Sequence, residues 1–239
     1  MVTITIDDRE FQAEDGSTIL EVARDNGIEI PTLCFNEGLE SYGACRLCSV
    51  EIIRNDRSRI VASCLYPVQE GLVVKTTSDK VRAIRKMLVE LLLARCSEEK
   101  IIQDLAKKFG IEQSCFKPEY LERKNCILCA QCVRACQEAV GVSAISLVNR
   151  GIKKEVAPPF LETAEACIGC GSCVYICPTS CIKMEDKDDT RIIHNWKVRF
   201  KLKKCEVCNN YFAPEAQLEY IRKKAGLPEG FFDKCPNCR

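Results

Sequence analysis

The chain begins with an alternation of hydrophobic and polar residues that predicts two short β-strands. The alternating runs span residues 2–6 and 9–13 and are separated by the polar pair at 7–8, an arrangement typical of a β-hairpin. A short helix is predicted next, because Thr18 and Glu21 have the spacing of a capping box and an Asn-Gly pair soon ends the pattern.

Helical periodicity dominates the stretch after the hairpin and its helix. Ser78 and Asp79 can cap a helix that runs to about Arg95. Its predicted apolar face consists of Val81, Ile84, Leu88, Leu91 and Leu92. A second helix is predicted from about residue 98 to 109, because Gly110 follows it.

Periodicity in the second half is weaker and predicts short strands. Residues 144–148 read as one strand, and the alternation at 192–204 predicts another, with one apolar and one basic face. A last helix lies between Pro214 and Gly226. Leu218 and Ile221 are the residues expected on its inner face.

The composition is unusual in its cysteine content, with 19 cysteines in 239 residues. Such a density often marks a small secreted disulfide scaffold, but no basic segment followed by an apolar one is visible at the start. The cysteines instead cluster at metal-ligand spacings.

The apolar run at 88–94 contains Glu90 and is too short to span a bilayer. We expect a soluble, cytoplasmic protein without direct membrane insertion.

Two copies of the pattern Cys-x2-Cys-x2-Cys-x3-Cys form the strongest chemical signal, and Pro178 follows the second copy. In two-cluster ferredoxins the fourth cysteine of each run ligates the cluster of the other run. One predicted 4Fe–4S cluster is therefore held by Cys126, Cys129, Cys132 and Cys177. The second is held by Cys136, Cys167, Cys170 and Cys173. The duplicated pattern favours two clusters over zinc or structural thiols.

Four earlier cysteines predict a 2Fe–2S cluster, with structural zinc or free thiols as the alternative. They are Cys34, Cys45, Cys48 and Cys64. Gly43 and Ala44 would let the backbone approach the cluster closely. The first gap is longer than the four residues of plant-type ferredoxins.

The hairpin, the helix and these cysteines resemble a β-grasp ferredoxin. The long first gap and the segment at 62–71 resemble the N-terminal region of the large iron–sulfur subunit of respiratory complex I and of iron-only hydrogenases. The resemblance covers about residues 1–192 and implies an α+β fold. The expected parts are a β-grasp 2Fe–2S ferredoxin domain at 1–78, a helical linker at 79–119, a two-cluster 4Fe–4S ferredoxin domain at 120–190 and a zinc-ribbon-like tail at 191–239.

One further cluster of that family, held by one histidine and three cysteines, is expected to be missing. Cys96 and Cys115 lie in the corresponding region, but the single histidine, His194, lies far away. Cys96, Cys115 and also Cys181 are expected to be small buried residues.

The tail carries two Cys-x2-Cys pairs that flank the last predicted helix. Cys205, Cys208, Cys235 and Cys238 predict a closed four-thiolate zinc site. A fourth iron–sulfur cluster is the alternative. The basic face of the strand at 192–204 is expected to be solvated or to contact a partner, and no nucleic acid is expected.

The resemblance implies an electron-transfer subunit with no catalytic residues of its own. The sequence agrees with this, because it contains neither a dinucleotide-binding fingerprint nor a phosphate-binding loop. A freestanding subunit of this kind would join a flavin- and NAD(H)-binding subunit to a hydrogenase, formate dehydrogenase, transhydrogenase or ferredoxin. The implied assembly is a soluble hetero-oligomer that bifurcates electrons in anaerobic metabolism.

A subunit of a quinone-linked, membrane-associated dehydrogenase is the alternative within redox chemistry. A redox-sensing nucleic-acid-binding regulator and a cluster-assembly scaffold are alternatives from other classes.

Overall fold

The computed structural model describes residues 1–54, 57–117 and 125–239. The chain divides into two compact units, residues 1–130 and 131–239. The domain boundary expected near residue 120 lies outside the described residues.

The first unit is built on a five-stranded sheet. Its strands are β1 (Val2–Ile6), β2 (Arg9–Ala13), β3 (Ser49–Arg54), β4 (Arg57–Ala62) and β5 (Leu72–Lys75). Their order across the sheet is β2-β1-β5-β3-β4, and only the neighbours β1 and β5 run parallel within it. The predicted hairpin of β1 and β2 is confirmed, whereas β3 to β5 were not expected from the hydrophobic alternation.

Helix α1 (Ile19–Asp25) packs its apolar residues into the core of this sheet. The predicted capping box is present: the backbone N–H of Glu21 donates to the Thr18 hydroxyl at 3.3 Å, and the Thr18 N–H donates to the Glu21 carboxylate at 2.7 Å. These bonds satisfy backbone groups that the first helical turn leaves open. They fix the start of the helix where the sequence predicts it.

Two helices follow the sheet, α2 (Asp79–Arg95) and α3 (Lys100–Lys108). Ser78 caps α2 as predicted, and most of the predicted apolar face packs inward: Val81 is buried, and Leu88 and Leu92 pack against the core. Leu91 is 45% exposed, so the prediction is wrong for that residue. The buried residues of α2 also include Arg85, a charged side chain that hydrophobic periodicity could not indicate.

The second unit contains several short elements. Its helices are α4 (Gln131–Arg134), which continues as a π-helix (Ala135–Val140), then α5 (Ser172–Tyr175) and α6 (Glu215–Ala225). Its strands are β6 (Ser146–Val148), β7 (Glu155–Ala157), β8 (Met184–Lys187), β9 (Thr190–Ile193), β10 (Val198–Lys204) and β11 (Tyr211–Pro214). Single 3₁₀ turns lie at Gly151–Lys153, Pro159–Leu161, His194–Trp196 and Pro236–Cys238. β6 pairs with β7, and the other four strands form a sheet in the order β11-β10-β9-β8.

The predicted single strand at 192–204 is wrong, because a turn at His194–Trp196 divides it into β9 and β10. Asn195 fixes this turn: its side chain accepts from the Lys183 N–H at 2.8 Å and donates to the Cys181 carbonyl at 3.2 Å. The alternation does hold along β10, where Val198 and Leu202 are buried. The break turns Trp196 into the core.

Helix α6 ends at Gly226, which adopts the left-handed conformation expected of a terminating glycine. Leu218 is buried as predicted, whereas Ile221 is 37% exposed and the expectation for it is wrong. The Tyr220 hydroxyl donates to the Val140 carbonyl at 2.8 Å, which anchors α6 on the π-helix. Across the described ranges, no helix combines the length and the apolar character needed to cross a membrane.

Candidate functional site

The four cysteines predicted to hold a 2Fe–2S cluster meet in loops of the first unit. Cys34 and Cys45 form one neighbouring pair, because the Cys45 backbone N–H donates to the Cys34 Sγ at 3.4 Å. Cys48 and Cys64 form the other, with their Sγ atoms 3.4 Å apart. Two pairs of thiols suit two iron ions, each bound by two thiolates.

The ionisation of these thiols is interdependent. The side-chain contact with Cys64 lowers the pKa of Cys48 to about 6, and the same contact raises the pKa of Cys64. The pKa of Cys45 is raised by its hydrogen bond with Cys34. Neighbouring thiols oppose one another's ionisation, so a metal is needed to make all four thiolates at neutral pH.

A buried hydroxyl beside this set fits a bound cluster. Ser63 is 0% exposed, and its Oγ makes no regular hydrogen bond to any residue that the structure describes. It lies close enough to the Cys48 sulfur to donate to it weakly and lower that thiol's pKa. A bound cluster would keep the Cys48 sulfur a thiolate, which is the better acceptor for this buried hydroxyl. The residues present therefore fit a 2Fe–2S group.

In the second unit, one cavity collects the cysteines predicted for the second 4Fe–4S cluster. Cys136 lines it together with Cys167, Cys170 and Cys173. Burial raises the pKa of Cys136 and Cys167, and raises that of Cys173 to about 12. The cysteine from the first run thus lies with three from the second, in an apolar setting that favours thiolates only when a cation is bound.

Side chains of β9 and of the turn that follows it hold the second cysteine run, residues 167–177, in place. The Trp196 indole N–H donates to the Cys173 Sγ at 3.4 Å. The Arg191 guanidinium donates to the Gly169 carbonyl at 3.1 Å and forms a bidentate pair with Asp186. Gly169 has φ +73°, and a Cβ there would lie 2.5 Å from the Phe200 ring. Trp196 and Arg191 were not predicted from the sequence, because neither lies in a recognisable motif.

The remaining four predicted cluster ligands are divided between the units. Cys126 and Cys129 belong to the first unit, and Cys132 and Cys177 to the second. Within the second unit, the Cys177 Sγ lies 3.6 Å from the Cys181 Sγ, and this contact lowers the pKa of Cys177 to about 5. Cys181 is half-buried beside a predicted ligand.

Cys96 and Cys115 behave differently from each other. Cys96 is buried in the core around α2 and α3, as expected. Cys115 is exposed, so the expectation that it is buried is wrong, and its thiol donates to the Glu90 carboxylate at 2.8 Å. His194 lies at the surface 3.2 Å from the Glu185 carboxylate.

The four tail cysteines converge on a compact site. The Sγ atoms of Cys205, Cys208, Cys235 and Cys238 all lie within 4.8 Å of one another. Those of Cys208 and Cys235 are 3.8 Å apart, and a tetrahedral ion with zinc–sulfur bonds of about 2.3 Å separates its sulfurs by about 3.8 Å. Backbone N–H groups, chiefly that of Cys208, lower the pKa of Cys205 to about 6. The spacing fits a single tetrahedral ion.

Comparison with known proteins gives two family matches. Residues 1–79 match the 2Fe-2S iron-sulfur cluster binding domain, and residues 120–184 match the 4Fe-4S dicluster domain. The two family models therefore include every cysteine that is predicted to bind an iron–sulfur cluster. Neither model extends to the tail cysteines.

Similar whole proteins are redox subunits. The chain is 35% identical over 205 residues to the alpha subunit of NADPH-Fe(3+) oxidoreductase of Geobacter sulfurreducens, a match that covers 75% of this chain and 24% of that protein. It is 32% identical over 206 residues to a subunit of the NADH-quinone oxidoreductase of Rhizobium meliloti, a match that covers 76% of this chain and 24% of that subunit. The chain thus spans about a quarter of the length of these relatives.

A solved structure is similar over more of its own length. It is a chain of the NAD+-reducing [NiFe]-hydrogenase in the H2-reduced state, with a TM-score of 0.60 and 33% sequence identity. The match covers 66% of this chain and 75% of the hydrogenase chain.

Proposed function

The chain belongs to the same iron–sulfur family as the matched chain of the NAD+-reducing [NiFe]-hydrogenase, and from this membership we propose that it is a non-catalytic electron-transfer subunit. It carries electrons between a flavin- and NAD(P)(H)-binding subunit and a second redox partner. The named relatives are parts of enzymes named for NADPH, NADH or NAD+, which supports a partner of that chemistry.

The observation that carries this proposal is the convergence of thiols from separate segments on shared sites. Cys48 reaches Cys64 across β3 and β4, and Cys136 shares a cavity with the run that begins at Cys167. We propose a 2Fe–2S cluster at Cys34, Cys45, Cys48 and Cys64. We propose 4Fe–4S clusters at Cys126, Cys129, Cys132 and Cys177, and at Cys136, Cys167, Cys170 and Cys173. Each cluster, when bound, takes up or releases one electron at a time.

The tail site at Cys205, Cys208, Cys235 and Cys238 is proposed to bind one structural zinc ion. The supporting observation is the sulfur spacing, which fits one tetrahedral ion. All four ligand positions would be filled by thiolates, so the site has no open position for chemistry.

The assembly that we favour is a soluble hetero-oligomer in which the second partner is a hydrogenase, formate dehydrogenase, transhydrogenase or ferredoxin, with electron bifurcation at the partner's flavin. The similarity to a chain of an NAD+-reducing hydrogenase supports it. The second candidate is a subunit of a quinone-linked dehydrogenase, which the similarity to the NADH-quinone oxidoreductase of Rhizobium meliloti favours.

The test combines metal analysis with reduction by nicotinamide. Anaerobically purified protein is expected to contain about ten iron atoms and about one zinc per chain. NADH or NADPH should leave the clusters of the isolated chain oxidised and reduce them once a flavin subunit is present, because a cluster accepts single electrons and not a hydride. The electron paramagnetic resonance signal of the reduced clusters measures this.

Three outcomes would contradict the proposal. Direct reduction of the isolated chain by NADH would show that it needs no flavin subunit. Clusters that cannot be reduced and reoxidised would indicate an assembly scaffold. Tight, salt-sensitive DNA binding would indicate a regulator. A co-purifying membrane-arm partner would decide for the quinone-linked candidate.

A further inference from the structure

Arg85 is a buried arginine next to the predicted 2Fe–2S site. It lies on α2 and is 5% exposed. Its Nε–H donates to the Leu47 carbonyl at 3.0 Å, and an Nη2–H donates to the Ser49 carbonyl at 2.8 Å. These carbonyls belong to the residues on either side of Cys48. Arg85 therefore fixes the backbone of a ligand segment from a position beyond the 2Fe–2S domain match at 1–79.

No carboxylate lies within ion-pair distance of Arg85 in the part of the chain that the structure describes. The nearest acid on β3, Glu51, is paired with Lys80 at 2.8 Å. Asp7 acts on Arg85 only through longer-range attraction, and its carboxylate accepts the Thr76 N–H at 2.7 Å. A buried charge without an adjacent counter-charge is strongly destabilising, so an anion placed next to the guanidinium would stabilise it.

A 2Fe–2S cluster bound by four thiolates supplies such an anion, with a net charge of about −2 when oxidised. Cys48, one of the proposed ligands, lies between the two residues whose carbonyls accept the Arg85 hydrogen bonds. We propose that Arg85 is the buried counter-charge of the cluster held by Cys34, Cys45, Cys48 and Cys64, and that it raises the cluster's reduction potential. This inference rests on the ligand set proposed above.

The redox consequence follows from charge alone. Reduction adds one electron from an external donor to the cluster, while Arg85 gains and loses no proton and no bond forms or breaks. The reduced cluster is one charge unit more negative than the oxidised one, so a fixed positive charge stabilises the reduced form more. Arg85 is thus a positioning residue with a measurable electrostatic effect.

The experiment is a redox titration of the 2Fe–2S signal in the full chain, followed by electron paramagnetic resonance with dithionite as reductant. In Arg85→Met, the reduced-to-oxidised ratio at the wild-type midpoint should fall at least tenfold. Arg85→Lys keeps the charge and should shift it less. Arg82→Met is the matched control, because Arg82 lies on the same helix with a side chain 68% exposed; water screens its charge, so the ratio should change less than twofold.

A second measurement separates charge compensation from simple packing. Without iron, Arg85→Met removes only the two hydrogen bonds to the Leu47 and Ser49 carbonyls. With the cluster bound it also removes the counter-charge, so its unfolding temperature should fall further below wild type in the iron-loaded protein than in the apoprotein. An equal fall in both forms would overturn the inference, because the role of Arg85 would then be packing and hydrogen bonding alone.

The outcomes also distinguish this inference from the proposed function. If wild-type protein shows no 2Fe–2S signal, the proposed ligand set fails. If wild type shows the signal and Arg85→Met leaves its midpoint unchanged or raises it, only the role of Arg85 is wrong.

Discussion

Trp196 shows how one side chain outside the cysteine runs acts on a predicted cluster. It is 2% exposed, and its indole N–H points at the Cys173 Sγ. A hydrogen bond to a ligand sulfur stabilises the more negative, reduced form and so raises the reduction potential. Trp196 is also the chain's one tryptophan, so its fluorescence reports on the site at Cys173.

Replacing Cys136 by Ser tests the second ligand set. We expect loss of about four iron atoms per chain, because Cys136 lines the cavity of Cys167, Cys170 and Cys173. Trp196 fluorescence, which a bound cluster should quench, should recover. Iron analysis and emission spectra measure the two effects.

The control for this prediction is Cys181→Ser, which removes a half-buried thiol that is not in the ligand set. It should retain the iron content and the quenched emission. If Cys136→Ser kept Trp196 quenched, the assignment of Cys136 to the second cluster would be wrong.

At the scale of elements, β9 and β10 support the second cysteine run through Arg191 and Phe200. Arg191 on β9 holds the Gly169 carbonyl, and Phe200 on β10 packs where a Cβ of residue 169 would lie. Gly169 therefore needs both its left-handed backbone and its missing side chain. The support lies beyond the 4Fe–4S dicluster match, which ends at residue 184.

Gly169→Ala should destabilise the second unit more than Gly151→Ala. Both glycines have positive φ, but nothing lies within 4 Å of a Cβ at Gly151. Backbone strain should cost each variant about 1–2 kcal/mol, and overpacking against Phe200 should add about 1–3 kcal/mol for Gly169→Ala. Thermal unfolding measures the difference.

Phe200→Leu provides a further check on this clash. The double variant Gly169→Ala, Phe200→Leu should recover part of the stability lost in Gly169→Ala, because the smaller side chain leaves room for the new methyl group. Equal destabilisation by Gly169→Ala and Gly151→Ala would refute the importance of the contact.

At the scale of the whole molecule, the tail cysteines would bind either a further redox cluster or a structural zinc ion. β10 leads directly from the support of the second run to Cys205, and β11 and α6 complete the fold between the two cysteine pairs. Lys203 and Asp233 link β10 to the last loop at 2.9 Å. This arrangement suits a structural ion that stabilises the sheet.

Cys238→Ser should remove about one zinc per chain and leave about ten iron atoms in place. The reason is that the tail thiols form a set separate from the predicted cluster ligands. Cys115→Ser is the control, because Cys115 is an exposed thiol bonded to Glu90 and should change neither metal. Loss of about four irons in Cys238→Ser, with no zinc in wild type, would identify a fourth cluster instead.

Local sequence signals predicted the elements that local chemistry determines. Thr18 with Glu21 and Ser78 marked helix starts correctly, because a cap is made by residues within one turn. Leu91 and Ile221, which are exposed, and the turn of His194–Trp196 were not predicted correctly. Which side of a helix is buried, and where a strand breaks, depend on neighbours distant in sequence.

The spacing of the cysteines along the chain predicts how they group into sets, because ligand spacing on a short segment limits the metal groups that the segment can bind. The same motifs indicated the family and the order of its domains. Folding of the chain was needed to place Arg85 between the carbonyls of Leu47 and Ser49, Trp196 at Cys173, and the hydroxyl of Ser63 near Cys48. The physical reason is that charge compensation and hydrogen bonding to a ligand act across space, between residues whose separation along the chain carries no pattern.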